Sequence, residues 1–350
     1  MTGENVRSLD CERLGGKAVG LIQLSEMGYP VPYFTTVAFD EDTTLLTGEA
    51  ITEAVPHEDG QLWAVRSSAN IEDGQSLSFA GQFDSILGVP EGRIVNAINQ
   101  VRRSGQNDRV REYCRTFGID YDSINVNVIV QEFDEPLRAG VWMSDQNGGH
   151  LEWVPGRGEE LVSGRAQPQR ENYTQDGSLA ELTARAQLTD ENGRSVADIC
   201  REIEGRIGSP ADLEFCITEK GLFWLQLRAV TRDLSAIAAN AVTPESVATI
   251  LSGEAASPFQ AEGYAYRYDQ FGAAGWEAGR ILVAKATTPA EMLLLMTAEG
   301  VVTQMGGRLS HAAVVCRELG KACVVGIDIN EIENNAYASI DGATGEVRLN

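Results

Sequence analysis

Apolar and polar positions change period several times along this chain. From Leu14 to about Arg232, short alternating runs are interleaved with helix-period stretches and glycine-bearing turns, the pattern of an α/β or α+β protein. The runs predict strands at Leu62 to Arg66, Val126 to Phe133, Ala139 to Met143, Asp212 to Thr218 and Gly221 to Ala229, the last two forming a hairpin across Glu219-Lys220. Asp233 to Gly275 is Ala-rich, contains Thr243-Pro244 and Ser257-Pro258, and reads as a partly helical connector. From about Trp276 a second α/β unit is predicted, with strand Arg280 to Ala284, helix Pro289 to Thr297, strand Gly300 to Thr303, a Gly306-Gly307 turn, helix His311 to Leu319, and strands near Ala322 to Val325 and Tyr337 to Ile340.

Composition fits several folded domains. The 350 residues exceed what one compact core accommodates, and 43% apolar with 23% charged residues is ordinary globular usage. A net charge of −23, from 51 acidic against 28 basic residues, repels a nucleic-acid backbone or an anionic membrane surface and so excludes both as partners. A nucleotide is still compatible, because a few Arg and Lys side chains with Mg²⁺ reverse the field inside one cleft. Six scattered cysteines without a CxxC pair, and three histidines, read as reduced thiols in a cytoplasmic protein. Met1 to Asp10 lacks the apolar core of a signal peptide, and no run approaches the roughly 18 apolar residues of a membrane span.

Four clusters carry chemistry. In Gly306-Gly307-Arg308-Leu309-Ser310-His311, a double glycine feeds a helix with Ser310 as N-cap and Gly320 as its left-handed terminator. His311 then sits where unpaired N–H groups and the helix dipole disfavour imidazolium and favour a bound anion, with Arg308 available for a charge-assisted contact; a capping or core histidine is the competing reading. Gly15-Gly16-Lys17 precedes an apolar helix and offers backbone approach and a mobile charge to a phosphate, although it is not a P-loop. Arg66-Ser67-Ser68, followed by Ser78-Phe79-Ala80-Gly81-Gln82, suits a phosphate clamp with a flexible lid, or equally a surface loop. Period-two spacing groups Asp212 with Glu214, and Gln226 with Arg228, as oxygen donors and a cation beside a hard metal ion, or as a solvated hairpin face.

In this order the clusters resemble the dikinase family of pyruvate phosphate dikinase, phosphoenolpyruvate synthase and rifampicin phosphotransferase, with Val130-Gln131-Glu132 and Gly158-Glu159-Glu160-Leu161-Val162-Ser163-Gly164 as further matching segments. The resemblance implies an ATP-grasp module over residues 1–232, a linker over 233–275, and a small swivelling α/β phosphohistidine domain over 276–350. It implies that Lys17, Arg66 and Arg228 bind the phosphates of ATP, that Gly81 belongs to the lid, that Gln131 and Glu132 lie on the adenine strand, and that Glu214 and Gln226 ligate Mg²⁺. His311, flanked by Arg308 and Ser310, would take the β-phosphoryl group, leaving AMP and phosphate, and pass it to a small-molecule acceptor.

Three departures stand out. The interval from Lys17 to Arg66 is shorter than in the larger relatives, Leu309 stands where many have Thr, and the sequence ends at Asn350 with no barrel domain for pyruvate. The acceptor site is therefore expected either in a cleft of this chain or on a partner subunit, as in a split phosphoenolpyruvate synthase-like enzyme. A non-catalytic regulatory ATP-binding module is a third reading.

Overall fold

The computed structural model describes residues 14–53, 55, 58–71, 83–145, 148–162, 166–229 and 249–349. Its strands are β1 (Phe34–Val37), β2 (Leu62–Ala69), β3 (Ser85–Pro90), β4 (Val126–Phe133), β5 (Arg138–Asp145), β6 (Gly148–Pro155), β7 (Gln169–Thr174), β8 (Leu179–Leu182) and β9 (Ala211–Thr218). They continue as β10 (Gly221–Ala229), β11 (Thr249–Ser252), β12 (Glu254–Ser257), β13 (Gln260–Arg267), β14 (Ile281–Ala284), β15 (Gly300–Thr303), β16 (Ala322–Val325), β17 (Tyr337–Asp341) and β18 (Glu346–Leu349). The helices that matter below are α1 (Gly16–Glu26), α2 (Ile94–Ser104), α3 (Val196–Ile207) and α4 (His311–Leu319). The described residues fall into two compact units, one drawn from 1–145, 155–157 and 186–231, the other from 146–154, 158–185 and 232–350.

The first unit contains an antiparallel sheet in the order β1-β4-β2-β3 and an antiparallel ladder β10-β9-β5. β9 and β10 join through the two-residue turn expected at Glu219-Lys220. α2 buries Ile94, Ala97, Ile98 and Val101, the i, i+3, i+4, i+7 stripe of an amphipathic helix, against β2, β3 and β4. α1 packs Ala18 and Leu21 on Ile129 of β4, each fully buried large aliphatic contributing about 1.5–3 kcal/mol. It also lies close to β10, because Gly20 has no Cβ to meet the Leu227 carbonyl oxygen, which would be only 2.5 Å away.

The second unit contains an antiparallel β6-β7-β8 ladder and an eight-stranded sheet ordered β11-β18-β17-β13-β14-β15-β16-β12. Its centre, β13 to β16, is parallel, and β14, β15 and β16 are buried along their whole length, as unbroken apolar runs in parallel sheets are. α4 packs on β12, β15 and β16. The partly helical connector expected over 233–275 holds at the short helix Tyr268–Phe271 and is corrected over residues 249–267: β11, β12 and β13 are sheet strands, and β13 lies between β17 and β14. Composition read this stretch as loop and helix, but its strands are fixed by pairing with partners up to 100 residues later, as Thr249 pairs with Leu349, which local propensity does not register.

The described cysteines, Cys114, Cys200, Cys216, Cys316 and Cys323, are buried thiols. Among the described residues no helix is long and apolar enough to cross a membrane.

Candidate functional site

In the first unit the N-terminus of α1 is built against β2. Gly15 adopts φ +81°, and a Cβ there would lie 1.9 Å from the Ser68 carbonyl oxygen, so only glycine permits the approach. α1 has no side-chain cap at Gly15. The cap comes from β2 instead: Ser68 Oγ accepts from the Ala18 N–H at 3.1 Å and donates to the Leu14 carbonyl at 2.8 Å. Beside it, Lys17 Nζ donates to Ser67 Oγ at 3.2 Å.

Arg66, on the same strand, reaches the β9–β10 hairpin. Its Nη1 donates to the Leu225 carbonyl at 2.7 Å and its Nη2 lies 3.2 Å from Glu214 Oε2. The register passes from Trp224 opposite Phe215 to Gln226 opposite Glu214, so Leu225 is a bulge residue whose carbonyl is turned out of the ladder and into reach of Arg66. Beyond the bulge, Glu214 pairs with Gln226 and Asp212 with Arg228, which sets all four side chains on one face. Arg228 Nη2 meets Asp212 Oδ2 at 2.7 Å.

Gln131 and Glu132 lie on β4. Gln131 is 1% exposed, stands opposite Ala64, and its Nε2 is a buried donor with no hydrogen-bond partner, an arrangement that costs about 1–3 kcal/mol unless something else accepts from it. The Glu132 N–H donates to the Tyr33 carbonyl at 2.8 Å, and its carboxylate lies 3.4 Å from Lys220 Nζ, in the hairpin turn. Lys220 also meets Asp134 at 2.9 Å, and that hydrogen bond raises its pKa. The structure thus gathers Arg66, Glu214, Gln226 and Arg228 around the bulged part of the hairpin, with Glu132 toward its turn, while Lys17 is bonded to Ser67, next to Arg66 on β2. Gly81, with the rest of Ser78 to Gln82, lies outside the described residues.

In the second unit, Gly306 takes φ +108° and the segment 307–310 leads into α4. Ser310 holds the N-cap position by its backbone, its carbonyl accepting from the Val314 N–H at 2.9 Å. The expected hydroxyl cap is corrected: Ser310 Oγ is buried and bonds no helix N–H, because a turn closed by the Ser310 N–H and the Gly307 carbonyl at 3.1 Å sets the approach to the helix. His311 is the first helical residue, 4% exposed, with Nδ1 3.3 Å from Thr287 Oγ1. Gly320 ends the helix in the left-handed conformation, as expected.

Arg308 lines a cavity of about 440 Å³ with Arg170, Asn172, Glu181 and Glu254. Sequence reading gave no sign of Glu152, a single acid in strand β6, yet its carboxylate accepts the backbone N–H groups of Arg308 at 2.9 Å and Leu309 at 3.3 Å. It also missed Lys220, Asp134 and the Leu225 carbonyl, none of which carries a local signal.

Two domain models match the chain: the AMP/ATP-binding domain of pyruvate phosphate dikinase over residues 48–180, and the mobile domain of PEP-utilising enzymes over residues 276–345. Arg66, Gln131 and Glu132 fall within the first match and Arg308, Ser310 and His311 within the second. The class is therefore that of an ATP-binding domain followed by a PEP-utiliser mobile domain. The probable phosphoenolpyruvate synthase of Methanothermobacter thermautotrophicus is 30% identical over 328 residues, covering 81% of this chain and 46% of that protein. Phosphoenolpyruvate synthase of Pyrococcus furiosus is 28% identical over 330 residues, covering 81% and 40%. Rifampicin phosphotransferase of Streptomyces sviceus is 31% identical over 215 residues, covering 52% and 25%. The chain thus matches both an ATP-binding and a mobile domain of pyruvate phosphate dikinase and PEP-utilising enzymes, is similar to phosphoenolpyruvate synthases over 81% of its length, and spans less than half the length of these curated relatives.

Proposed function

We propose that this chain is an ATP-dependent dikinase-type phosphotransferase. Residues 1–232 would form its ATP-grasp module and residues 276–350, together with strands β11 to β13, its phosphohistidine domain. The observation that carries the reading is His311: a buried imidazole at the first residue of a helix fed by a double glycine, within the segment that matches the PEP-utilising mobile domain. In the tautomer that carries its proton on Nδ1, facing Thr287 Oγ1, the lone pair is on Nε2. Nε2 attacks the β-phosphorus of ATP, the bond from that phosphorus to the α,β-bridging oxygen breaks, and AMP leaves with that electron pair. Attack of water on the γ-phosphorus then breaks its bond to the β,γ-bridging oxygen and releases inorganic phosphate, leaving one phosphoryl group on His311 for transfer to a small-molecule acceptor.

The first unit suits the nucleotide. By strand rise, the four residues from Glu214 to Thr218 at the turn span about 13 Å, room for the triphosphate at Arg66 and Arg228 and the base toward Gln131 and Glu132. The buried, unpartnered Gln131 amide is a donor suited to a ring nitrogen. Glu214 and Gln226 fit Mg²⁺, which takes one or two protein oxygens and fills its octahedron with phosphate and water; no group of three His, Cys, Asp or Glu among the described residues forms an all-protein cage. The ion would neutralise charge on the phosphates; Arg66, Arg228 and Lys17 do the same from the protein side. Dependence on ATP is in keeping with a cytoplasmic protein.

A second reading, favoured by the similarity to a probable phosphoenolpyruvate synthase, has pyruvate as the acceptor, held on a partner subunit. The test uses Mg²⁺ with ATP labelled at either the β or the γ position. Acid-labile β-label on the wild-type protein, AMP among the products, and neither in His311→Ala are expected. Formation of ADP without phosphoenzyme, or undiminished AMP from His311→Ala, would overturn the reading.

A further inference from the structure

The carboxylate of Glu152 is 2% exposed, and its hydrogen bonds go to backbone N–H groups, with Arg170 as a longer ion-pair partner. Its two oxygens receive the consecutive N–H groups of Arg308 and Leu309, at 2.9 and 3.3 Å, in the manner of an anion seated in a backbone nest. The opposite side of the same segment is held as well: Arg317 Nη1, on α4, donates to the Arg308 carbonyl at 2.6 Å and to the Ala256 carbonyl at 2.8 Å. Arg170 stands behind the acid, its Nε 3.7 Å from Glu152 Oε1 and its Nη2 2.8 Å from Glu254 Oε2.

Gly307 records how close this contact is. A Cβ there would lie 2.3 Å from Glu152 Oε1 and 2.5 Å from Oε2, whereas Gly307 is not among the residues with positive φ. The glycine is required by the carboxylate, not by the backbone conformation.

We propose that Glu152 is a positioning residue for the phosphoryl relay, holding the Gly307–Ser310 segment so that His311 is presented to the phosphorus in one fixed orientation. The inference rests on the proposed function. Phosphoryl transfer depends on in-line placement, and a displacement of about 1 Å costs on the order of 10²-fold in rate. Glutamine has the shape of glutamate but offers one acceptor and one NH₂ group, so Glu152→Gln sets a donor against one of the two N–H groups.

The experiment measures ATP affinity and the single-turnover rate of β-label transfer to the protein. Glu152→Gln is expected to slow labelling by about 10–100-fold and to leave ATP affinity within about twofold, because Lys17, Arg66, Glu214 and Arg228 are untouched; a folding defect alone would lower the active fraction and the melting midpoint without changing the rate of the remainder. Gly307→Ala removes no group, remains informative where Glu152→Gln does not fold, and should slow labelling similarly. In the Glu152→Ala background the added methyl has space, so Gly307→Ala should there have little further effect. Labelling of Glu152→Gln at the wild-type rate, or an equal penalty of Gly307→Ala in both backgrounds, would overturn the inference. Failure of the wild-type protein to take up β-label at all would instead sink the proposed function.

Discussion

Arg66 on β2 lies 3.2 Å from Glu214 on β9 and donates to the Leu225 carbonyl that the β10 bulge turns toward it. One guanidinium thus serves two acceptors from one planar fork, which a lysine ammonium does not reproduce with the same geometry. Arg66→Lys is expected to weaken ATP binding at least tenfold, about 1.4 kcal/mol, and Arg66→Met more, as read by calorimetric titration with Mg²⁺. Unchanged affinity in both variants would remove Arg66 from the nucleotide site.

Glu214 carries the only carboxylate of the Glu214–Gln226 register pair. Glu214→Gln keeps the shape and loses the charge, so the Mg²⁺ concentration for half-maximal phosphoenzyme formation should rise by roughly tenfold or more. An unaltered Mg²⁺ dependence would assign the ion to other ligands.

Ser68 supplies α1 with its cap across 50 residues of sequence. Ser68→Ala should lower the unfolding free energy by about 1 kcal/mol. Gly15→Ala should cost more, since the added Cβ meets the Ser68 carbonyl at a backbone φ of +81°. Urea titration of the two variants orders them, and a Gly15→Ala protein as stable as wild type would contradict the packing described.

Glu254 gives a pH dependence of defined sign. Burial, reinforced by the charge of Glu152, pushes its carboxyl from the ordinary 4.5 up to about 7, against the pull of Arg170 and Arg308 and with Glu181 nearby. Between those values the folded chain keeps a proton that the unfolded chain releases. The stabilisation is full below about pH 4.5 and is lost as pH rises through about 7. The difference in unfolding free energy between wild type and Glu254→Gln should shift by on the order of 3 kcal/mol across that window, wild type losing stability as pH rises. A constant difference would show that Glu254 titrates normally.

Much of the fold was legible because its strands are clearly patterned. Val126–Phe133, Gly221–Ala229, Gly300–Thr303 and Ala322–Val325 stand where alternation or an unbroken apolar run put them, and His311–Leu319 begins and ends at the residues its capping pattern indicated. Local chemistry made Lys17, Arg66, Glu214, Gln226, Arg228 and His311 legible as candidates, because glycines beside a charge and period-two pairs are short-range signals. Order along the chain then carried the family resemblance, which both domain matches support.

What tertiary structure alone decided are the contacts whose two ends are far apart in sequence. The strands of residues 249–267 exist by pairing with β14, β16, β17 and β18, and their composition does not distinguish them from a connector. Ser310 has the residue type of a cap, yet the turn before it leaves its hydroxyl buried and the helix N–H groups to other arrangements. Glu152 lies 156 residues from the N–H that it accepts, and Ser68 lies 50 from its own. A sequence pattern reports which face a residue turns to its neighbours along one element; which backbone amide a buried carboxylate finally meets depends on how the elements pack, and that is decided by the whole chain at once.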